Sequence, residues 1–198
     1  MSAPGDEQLP AAADRSAGLG KDTIVAAALE IIAERGVPGL SMRVLSQRLG
    51  VSLGATYRHV PNKDDLLRLV AADLYARITP ADDTGGDEFD QAKHVMLQIH
   101  DLLAAYPGMA AHIAQNLPEF TSERLTSLIT DPLQAAGLSA DEAGRIVFTL
   151  ILLNAGHMLI RVPAGMEDGA AAAFAEGVDL ILRGAQTRSQ HRSVNTVD

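Results

Sequence analysis

With 198 residues, 47% of them hydrophobic, and a mean hydropathy of +0.08, the chain can bury a sizeable core in one or two globular domains. It contains no cysteine, which excludes a disulfide framework, a thiolate metal site and a cysteine nucleophile, and which fits a cytoplasmic protein. Residues 1–20 lack the apolar core of a secretory leader. The most apolar run, Ile146 to Ile160, is shorter than the roughly 20 residues that a bilayer requires, so no membrane partner is expected.

The net charge of −9 is unevenly distributed along the chain. Residues 1–14 carry −3, residues 15–80 carry nine Lys or Arg against six Asp or Glu, and residues 81–198 carry seven against sixteen. The segment 15–80 is therefore basic, at +3, within an acidic protein. Such a segment can contact a polyanion, while the acidic remainder serves solubility.

Helical periodicity begins after an arm rich in Ala, Gly, Ser and Pro. Residues 1–20 have no periodic apolar pattern and are predicted to be a disordered arm. A first helix is predicted over residues 21–35, and Gly36 ends it. The buried face of this helix is expected to contain Ile24, Ala28, Ile31 and Ile32.

Two short helical segments joined by a glycine come next. Ser41 can cap a helix of about nine residues, and Ser52 can cap a second helix that runs to about His59. Gly50 supplies the backbone freedom for the sharp turn between them. This arrangement predicts a helix-turn-helix, in which the start of the second helix faces base edges in the major groove and flanking groups bind phosphates.

A longer helix is predicted from Asn62 to about Thr79. Asn62 is its cap, and Asp65 stands three positions later, as in a capping box. Lys63 lies where helix N-terminal amides and positive charge together suit a phosphate. The helix completes a predicted DNA-binding domain with its linker helix over residues 21–79.

Residues 50–67, GVSLGATYRHVPNKDDLL, resemble the signature of the tetracycline-repressor (TetR) family of bacterial transcription regulators. The likeness extends over about residues 21–75. Thr56 stands where the family usually has a bulky aliphatic residue, so we expect Thr56 to be partly buried. The resemblance implies an all-α fold, with an N-terminal three-helix helix-turn-helix DNA-binding domain joined by a linker helix to a C-terminal helical domain for ligand binding and dimerisation.

The predicted DNA contacts lie in the helix-turn-helix and at the start of the linker helix. Small residues at Gly54 and Ala55 would let the backbone approach DNA closely, and Arg43 is the best residue for reaching a guanine edge. We expect Tyr57, His59 and Lys63 to contact phosphates. The full predicted set is Ser41, Arg43, Ser52, Leu53, Gly54, Ala55, Tyr57, Arg58, His59 and Lys63.

The rest of the chain is predicted to be helical after residues 80–87, a polar Gly-rich break taken as the domain boundary. Ser139 and Glu142 form a capping box before a long helix that runs to about Arg161. An effector-binding and dimerisation domain is thus predicted over residues 88–186, and residues 187–198 are predicted to be a flexible tail.

The helix over residues 140–161 is apolar nearly all round and must be buried on most sides. A domain of about 110 residues hardly covers such a helix within one chain, so a second copy is its expected cover. The resemblance likewise implies a four-helix interface between two chains, and we predict a homodimer. Its predicted interface residues are Ile146, Leu150, Ile151, Phe174, Val178 and Ile181.

Asn154 and His157 interrupt this apolar helix on one face. They either hydrogen-bond across the dimer interface and fix its register, or line an effector pocket, and the sequence leaves both readings open. His112 and Asn116 belong to a second candidate lining, in the middle helices that the resemblance implies enclose a ligand. The predicted effector contacts are Gln98, His112, Asn116, Asn154 and His157.

An enzyme is not predicted, because the six histidines lack metal-ligand spacing and the sequence has no phosphate loop or nucleophile elbow. We expect no cofactor and no metal. Two functions remain: a repressor that binds double-stranded operator DNA and is released by a small-molecule effector of unknown identity, or a helical protein-interaction module without effector control. The basic surface of Arg43, Arg48, Arg58 and Lys63 favours the repressor, since a surface that docks protein would more often be apolar.

Overall fold

The computed structural model describes residues 19–80, 86–120, 122–160 and 167–195, and its regular elements within these ranges are helices. The predicted all-α class is confirmed. The chain forms two compact units, Met1–Val70 and Ala71–Asp198. Most of the predicted N-terminal arm, residues 1–18, lies outside the described residues.

The first unit contains three helices and the first half of a fourth. These are α1 (Lys21–Gly39), α2 (Met42–Leu49), α3 (Leu53–His59) and α4 (Lys63–Ala76). The four predicted core residues of α1, Ile24, Ala28, Ile31 and Ile32, are fully buried. Gly36 has a φ of 67° and interrupts the regular helix where the sequence predicts its end.

Side-chain caps set the starts of the helices in the first unit, as predicted. The Ser41 hydroxyl accepts a hydrogen bond from the Val44 amide, and the Ser52 hydroxyl accepts one from the Ala55 amide, both at 3.2 Å. Asn62 accepts from the Asp65 amide at 2.8 Å at the start of α4. The Asp65 carboxylate binds the Asn62 side chain instead of its backbone, so the predicted box is closed between side chains.

The boundary between the two units falls between Val70 and Ala71, within α4, and not at the predicted break over residues 80–87. The second half of α4 and the residues after it are buried at Ala71, Leu74, Tyr75 and Ile78. This apolar stripe continues the helical spacing of the first half, so the helix supplies core residues to both units.

The second unit is formed by the end of α4 and six further helices in the described residues. These are α5 (Glu88–Ala104), α6 (Met109–Gln115), α7 (Leu117–Phe120), α8 (Glu123–Ala135), α9 (Ala140–Leu159) and α10 (Glu167–Asn195). The capping box of Ser139 and Glu142 is present. Helix α5 packs against α8 and α10, and α9 packs against α6, α8 and α10. Among the described helices, none is long and apolar enough to cross a bilayer.

The last helix continues well past residue 186, so residues 187–195 are helical and the predicted flexible tail is wrong there. The reason is a tertiary contact that the polar sequence did not indicate. Ser189 is buried, and its hydroxyl donates to the carbonyl oxygen of Ala136 at 2.6 Å. Residues 196–198 lie outside the described part of the chain.

Candidate DNA-reading surface and ligand cavity

A buried pair of hydroxyls connects the two helices of the helix-turn-helix. Ser46 on α2 donates to the carbonyl oxygen of Met42 at 2.7 Å, and its oxygen lies 2.8 Å from the Thr56 hydroxyl on α3. Because the single hydroxyl hydrogen of Ser46 is already used, Thr56 is the donor of the second bond. Thr56 is fully buried, which confirms that it faces the core and not DNA. Gly50, with a φ of 66°, makes the turn between the helices.

The outward side of α3, together with Arg43 of α2, forms a continuous candidate surface that we call the reading face. Leu53 and Tyr57 are 42% and 46% exposed, which is unusual for large apolar and aromatic side chains, and Gly54 and Arg58 are also exposed. A Cβ built on Gly54 would meet no atom within 4 Å, so nothing inside the chain requires glycine there. The free space favours an external partner that approaches the backbone closely.

Ala55 does not belong to the reading face, and its prediction as a DNA contact is wrong. Its side chain is 3% exposed, because the third position of this short helix turns toward α2. Ser41 and Ser52 are exposed, and each has its oxygen engaged in a helix cap. His59 is half-buried at the end of α3.

Arg48 is neutralised by carboxylates of α1 and is therefore a poor member of the predicted basic surface. Its guanidinium forms two bonds with Glu34, at 2.6 and 3.0 Å, and one with Glu30 at 3.1 Å. Hydrogen bonding to Arg48 lowers the pKa of Glu34, and the two carboxylates raise the pKa of Arg48. Arg43 and Arg58 form no ion pair with any described residue, so their charges remain available to a partner.

Lys63 is anchored at the first turn of α4. Its ammonium donates to the carbonyl oxygen of Val37 at 2.9 Å, and the side chain is half-buried. One of its three N–H donors is used, so two remain for a phosphate, and the bond to Val37 fixes where the charge stands.

The second unit contains a cavity of about 80 Å³ among α5, α6, α8, α9 and the end of α4. Its wall is mainly apolar and includes Met96, Leu103, Ile113, Phe120, Ile129 and Val147. The polar side chains that reach it are Tyr75, Ser122, Thr126 and Asn154, and none of its described lining residues is charged.

Of the five predicted effector contacts, Asn154 lines this cavity and four lie elsewhere. Gln98 is bound to Thr79, where its side chain donates to the carbonyl oxygen at 3.0 Å and accepts from the amide at 3.3 Å. The Asn116 side chain donates to the carbonyl oxygen of His112, and the His112 ring packs edge-on against Phe120 at 5.0 Å. His157 is also not among the lining residues.

Asn154 and His157 join a buried aromatic cluster with His100 and Phe174. His100 Nδ1 lies 2.9 Å from Asn154 Oδ1, and the His100 ring stacks on Phe174 with centroids 3.9 Å apart. His157 meets His100 edge-on at 4.8 Å. Burial, and secondarily the neighbouring His100, lower the pKa of His157. The partners of Asn154 and His157 thus lie in the same chain, which disfavours a role in a dimer interface.

The predicted interface residues are mostly core residues of one chain. Leu150 and Val178 are fully buried, and Phe174 and Ile146 are 2% and 6% exposed, while Ile151 lines the cavity. Ile181 is half-buried. Since α9 is apolar all round, its sequence could not indicate which side faces outward. The exposed large side chains here are Phe148, Leu152, Leu159, Ile160 and Leu180, which we call the outer apolar stripe.

Arg124 is a contact that the sequence analysis missed. Its guanidinium donates to the carbonyl oxygens of Tyr75 at 3.1 Å and Ile78 at 3.0 Å, at the C-terminal end of α4. A cation in the first turn of a helix opposes the helix dipole, and this was a signal that Arg124 has a partner elsewhere. Its neighbours Ser122, Leu125 and Thr126 line the cavity, as does Tyr75.

Comparisons with known proteins agree with this architecture. Residues 24–70 match the family model for bacterial regulatory proteins of the tetR family. The class D tetracycline repressor of Escherichia coli is 41% identical over 61 residues, which cover 31% of this chain and 28% of the repressor. The class C repressor of E. coli is 28% identical over a match that covers 85% of this chain and 76% of the repressor. A crystal structure of a single-residue variant of TetR from Acinetobacter baumannii AYE in complex with minocycline has a TM-score of 0.71 at 26% identity, covering 86% of this chain and 98% of that one.

The helix-turn-helix and the matched family model define a DNA-binding domain of the kind found in bacterial regulatory proteins of the tetR family. The likeness to TetR regulators extends to the fold, since TetR from Acinetobacter baumannii AYE has a TM-score of 0.70 at 26% identity, covering 86% of this chain. The chain covers less than a third of the class D and class H tetracycline repressors that it matches.

Proposed function

We propose that the protein is a homodimeric, cytoplasmic repressor that binds operator DNA through the reading face and is released by a small molecule in the cavity of the second unit. The observation that carries the proposal is the exposed start of α3, where Leu53, Gly54 and Tyr57 project outward beside the uncompensated charges of Arg43 and Arg58. A protein-docking surface is the weaker alternative, because two unpaired arginines would have to lose water without a partner of opposite charge.

The outer apolar stripe supports the dimer. Phe148, Leu152 and Leu180 are each more than half exposed on α9 and α10, whereas soluble monomers rarely group large apolar side chains in this way. A two-fold interface over this stripe would bury one surface of each chain against the same surface of the other. It would also provide two reading faces for successive half-sites, which in such dimers lie about 34–36 Å apart.

Arg124 is the contact through which we expect the cavity to act on α4. It lies between residues that line the cavity and binds the carbonyls at the end of a helix that begins in the DNA-binding unit. An occupant that displaces the first turn of α8 would weaken these two bonds. Since α4 is continuous, a shift of its last turn is transmitted along the helix to Lys63.

The first experiment is selection of binding sites from random DNA, followed by titration of the selected site by fluorescence anisotropy. We expect a two-fold symmetric site that binds at least about 1,000-fold more tightly than random DNA. Binding without sequence preference, at the roughly micromolar or weaker affinity of non-specific complexes, would contradict the proposal.

The second experiment replaces Arg124 with methionine and measures operator affinity with and without an effector. We expect operator binding to weaken and the effector to change it by a smaller factor than in the unmodified protein. Arg77→Met is the matched control, since Arg77 lies between the two carbonyls that Arg124 binds but pairs with Asp73 and Tyr106. Equal effects of the two variants would exclude a special role for Arg124.

A further inference from the structure

The size of the cavity restricts what can occupy it. A volume of about 80 Å³ is well below the ~300–1,000 Å³ of pockets that hold drug-sized ligands. At the ~10–15 Å³ that one water requires, it accommodates roughly five to eight groups of that size. A ligand with this number of non-hydrogen atoms fits without rearrangement of the helices, whereas a fused-ring drug such as minocycline does not.

The wall of the cavity restricts the charge of the ligand. None of the described lining residues is Asp, Glu, Lys, Arg or His, and most are aliphatic or aromatic. An ionised ligand would lose its hydration without gaining an ion pair, which is strongly unfavourable. The chemistry of the wall therefore fits a neutral, mainly hydrocarbon molecule.

Two polar side chains keep unused hydrogen-bond donors at this wall. Tyr75 is 7% exposed and Asn154 is 5% exposed, and both line the cavity. The Tyr75 hydroxyl donates to no described residue, and Asn154 uses its Oδ1 on His100 while its Nδ2 donates to no described residue. Burial raises the pKa of Tyr75 to about 12, so its phenol stays a neutral donor at physiological pH.

A donor that is open to an apolar cavity gains a hydrogen bond when a ligand supplies an acceptor there. An oxygen that carries lone pairs and no ionisable proton can accept a hydrogen bond from either residue. A carbonyl oxygen has these properties, and its hydrocarbon substituents match the rest of the wall.

We propose that the effector is a small neutral carbonyl compound, a ketone, ester or lactone of roughly five to eight non-hydrogen atoms, whose oxygen accepts a hydrogen bond from Tyr75 or Asn154. This inference rests on the proposed function for its regulatory meaning, but the binding itself does not depend on DNA. The specificity comes from two donors within an apolar wall. Such a site distinguishes ligands with and without an acceptor oxygen more sharply than ligands that differ only in hydrocarbon contact.

The test uses three ring compounds of the same size on the full chain, measured by isothermal titration calorimetry without DNA. Cyclohexanone carries the carbonyl oxygen, methylenecyclohexane replaces that oxygen with a CH₂ group, and cyclohexylammonium carries a charge. We expect cyclohexanone to bind and the other two to bind at least about tenfold more weakly. Equal binding of cyclohexanone and methylenecyclohexane would overturn the role of the donors, and preferred binding of cyclohexylammonium or minocycline would overturn the ligand class.

A single-atom variant tests the donor directly. Tyr75→Phe removes the hydroxyl and should weaken cyclohexanone binding roughly 2- to 12-fold while leaving methylenecyclohexane unchanged. Tyr106→Phe is the matched control, because its hydroxyl accepts from Arg77 and Tyr106 is not among the lining residues. If Tyr75→Phe fails to fold, the comparison of the ring compounds on the unmodified chain still decides.

Failure of this inference and failure of the proposed function give different results. Cyclohexanone that binds with the expected preference but leaves operator affinity unchanged supports the ligand class and contradicts effector control. Absence of binding by any carbonyl probe, in a protein that binds a selected operator as a dimer, contradicts the ligand class and leaves the repressor proposal standing.

Discussion

The reading face and the cavity wall differ in how their residues are held. On α3, one serine cap, one glycine turn and a Ser46–Thr56 hydrogen bond orient a helix of seven residues, and each of these features lies within about ten residues of its partner. The cavity is bounded by side chains from residue 75 to residue 155, which come together through helix packing alone. Local interactions thus determine the first surface, and long-range packing determines the second.

The largest expected effect separates the inner and outer sides of α9. Leu150→Asp places a charge in the core of one chain and should lower the free energy of unfolding by more than about 4 kcal/mol, which yields insoluble or unfolded protein. Leu152→Asp changes an exposed side chain of the same type two residues later, and should yield a folded monomer that has lost operator binding.

Light scattering at micromolar concentration, together with circular dichroism, distinguishes these variants. Two results would contradict the assignment of the outer apolar stripe: a dimeric Leu152→Asp protein, or an unmodified protein that is already monomeric. A folded Leu150→Asp protein would instead show that α9 is turned differently in solution.

The next effect concerns Gly54 on the reading face. Gly54→Ala should raise the free energy of unfolding by up to about 1 kcal/mol, because alanine is the better helix former and its Cβ meets no atom within 4 Å. The same methyl group should weaken operator binding about tenfold, if DNA approaches the α3 backbone closely. Thermal denaturation and anisotropy on one sample measure both changes, and a more stable variant with unchanged operator affinity would exclude close approach at Gly54.

A further pair of variants separates positioning from sequence reading. Lys63→Ala should weaken binding to all DNA sequences alike and reduce the slope of log affinity against log salt by about 0.9. Arg43→Ala should cost roughly 1–3 kcal/mol at one base position. Titrations over a range of salt concentrations, on the selected site and on single-base variants, test both. An unchanged slope would mean that the ammonium of Lys63 serves the Val37 carbonyl and no phosphate.

The smallest expected effect is a pH dependence of the second unit. The lowered pKa of His157 means that the folded chain holds this ring neutral more strongly than the unfolded chain, whose ring titrates near 6.5. Between these two pKa values the unfolded state binds more protons, so stability should rise with pH in that window and be unaffected above it. His157→Gln should flatten the dependence, while His94→Gln, an exposed position on α5, should not. Urea denaturation at several pH values provides the measurement, and identical slopes for the two variants would contradict it.

Much of the DNA-binding unit could be predicted from the sequence because its signals are local. The caps at Ser41 and Ser52, the end of the first regular helix at Gly36 and the burial of Thr56 are all confirmed. The errors in this unit come from packing between helices. Arg48 is neutralised by residues 14 and 18 positions away, and Ala55 turns inward because α2 packs against it.

The second unit shows where periodicity stops being informative. A helix such as α9, which is apolar on every side, can pack equally well in a core, beside a cavity or at an interface. Leu150, Ile151 and Leu152 therefore look alike in the sequence, although the first is buried, the second lines the cavity and the third is exposed. Polar residues were better indicators, but four of the five predicted effector contacts bind backbone groups or other rings instead of lining the cavity.

The sequence by itself determined the helical class, the helix-turn-helix and the likeness of residues 24–70 to the tetR family model, because caps, turn glycines and charge act over a few residues and are visible in the order of the chain. Tertiary structure alone decided which side of α9 is covered, that Arg124 binds the end of α4, and that Tyr75 and Asn154 meet at one small cavity. These outcomes depend on the packing of helices distant in sequence, where the shape and volume of the neighbouring side chains select one arrangement among many with the same apolar pattern.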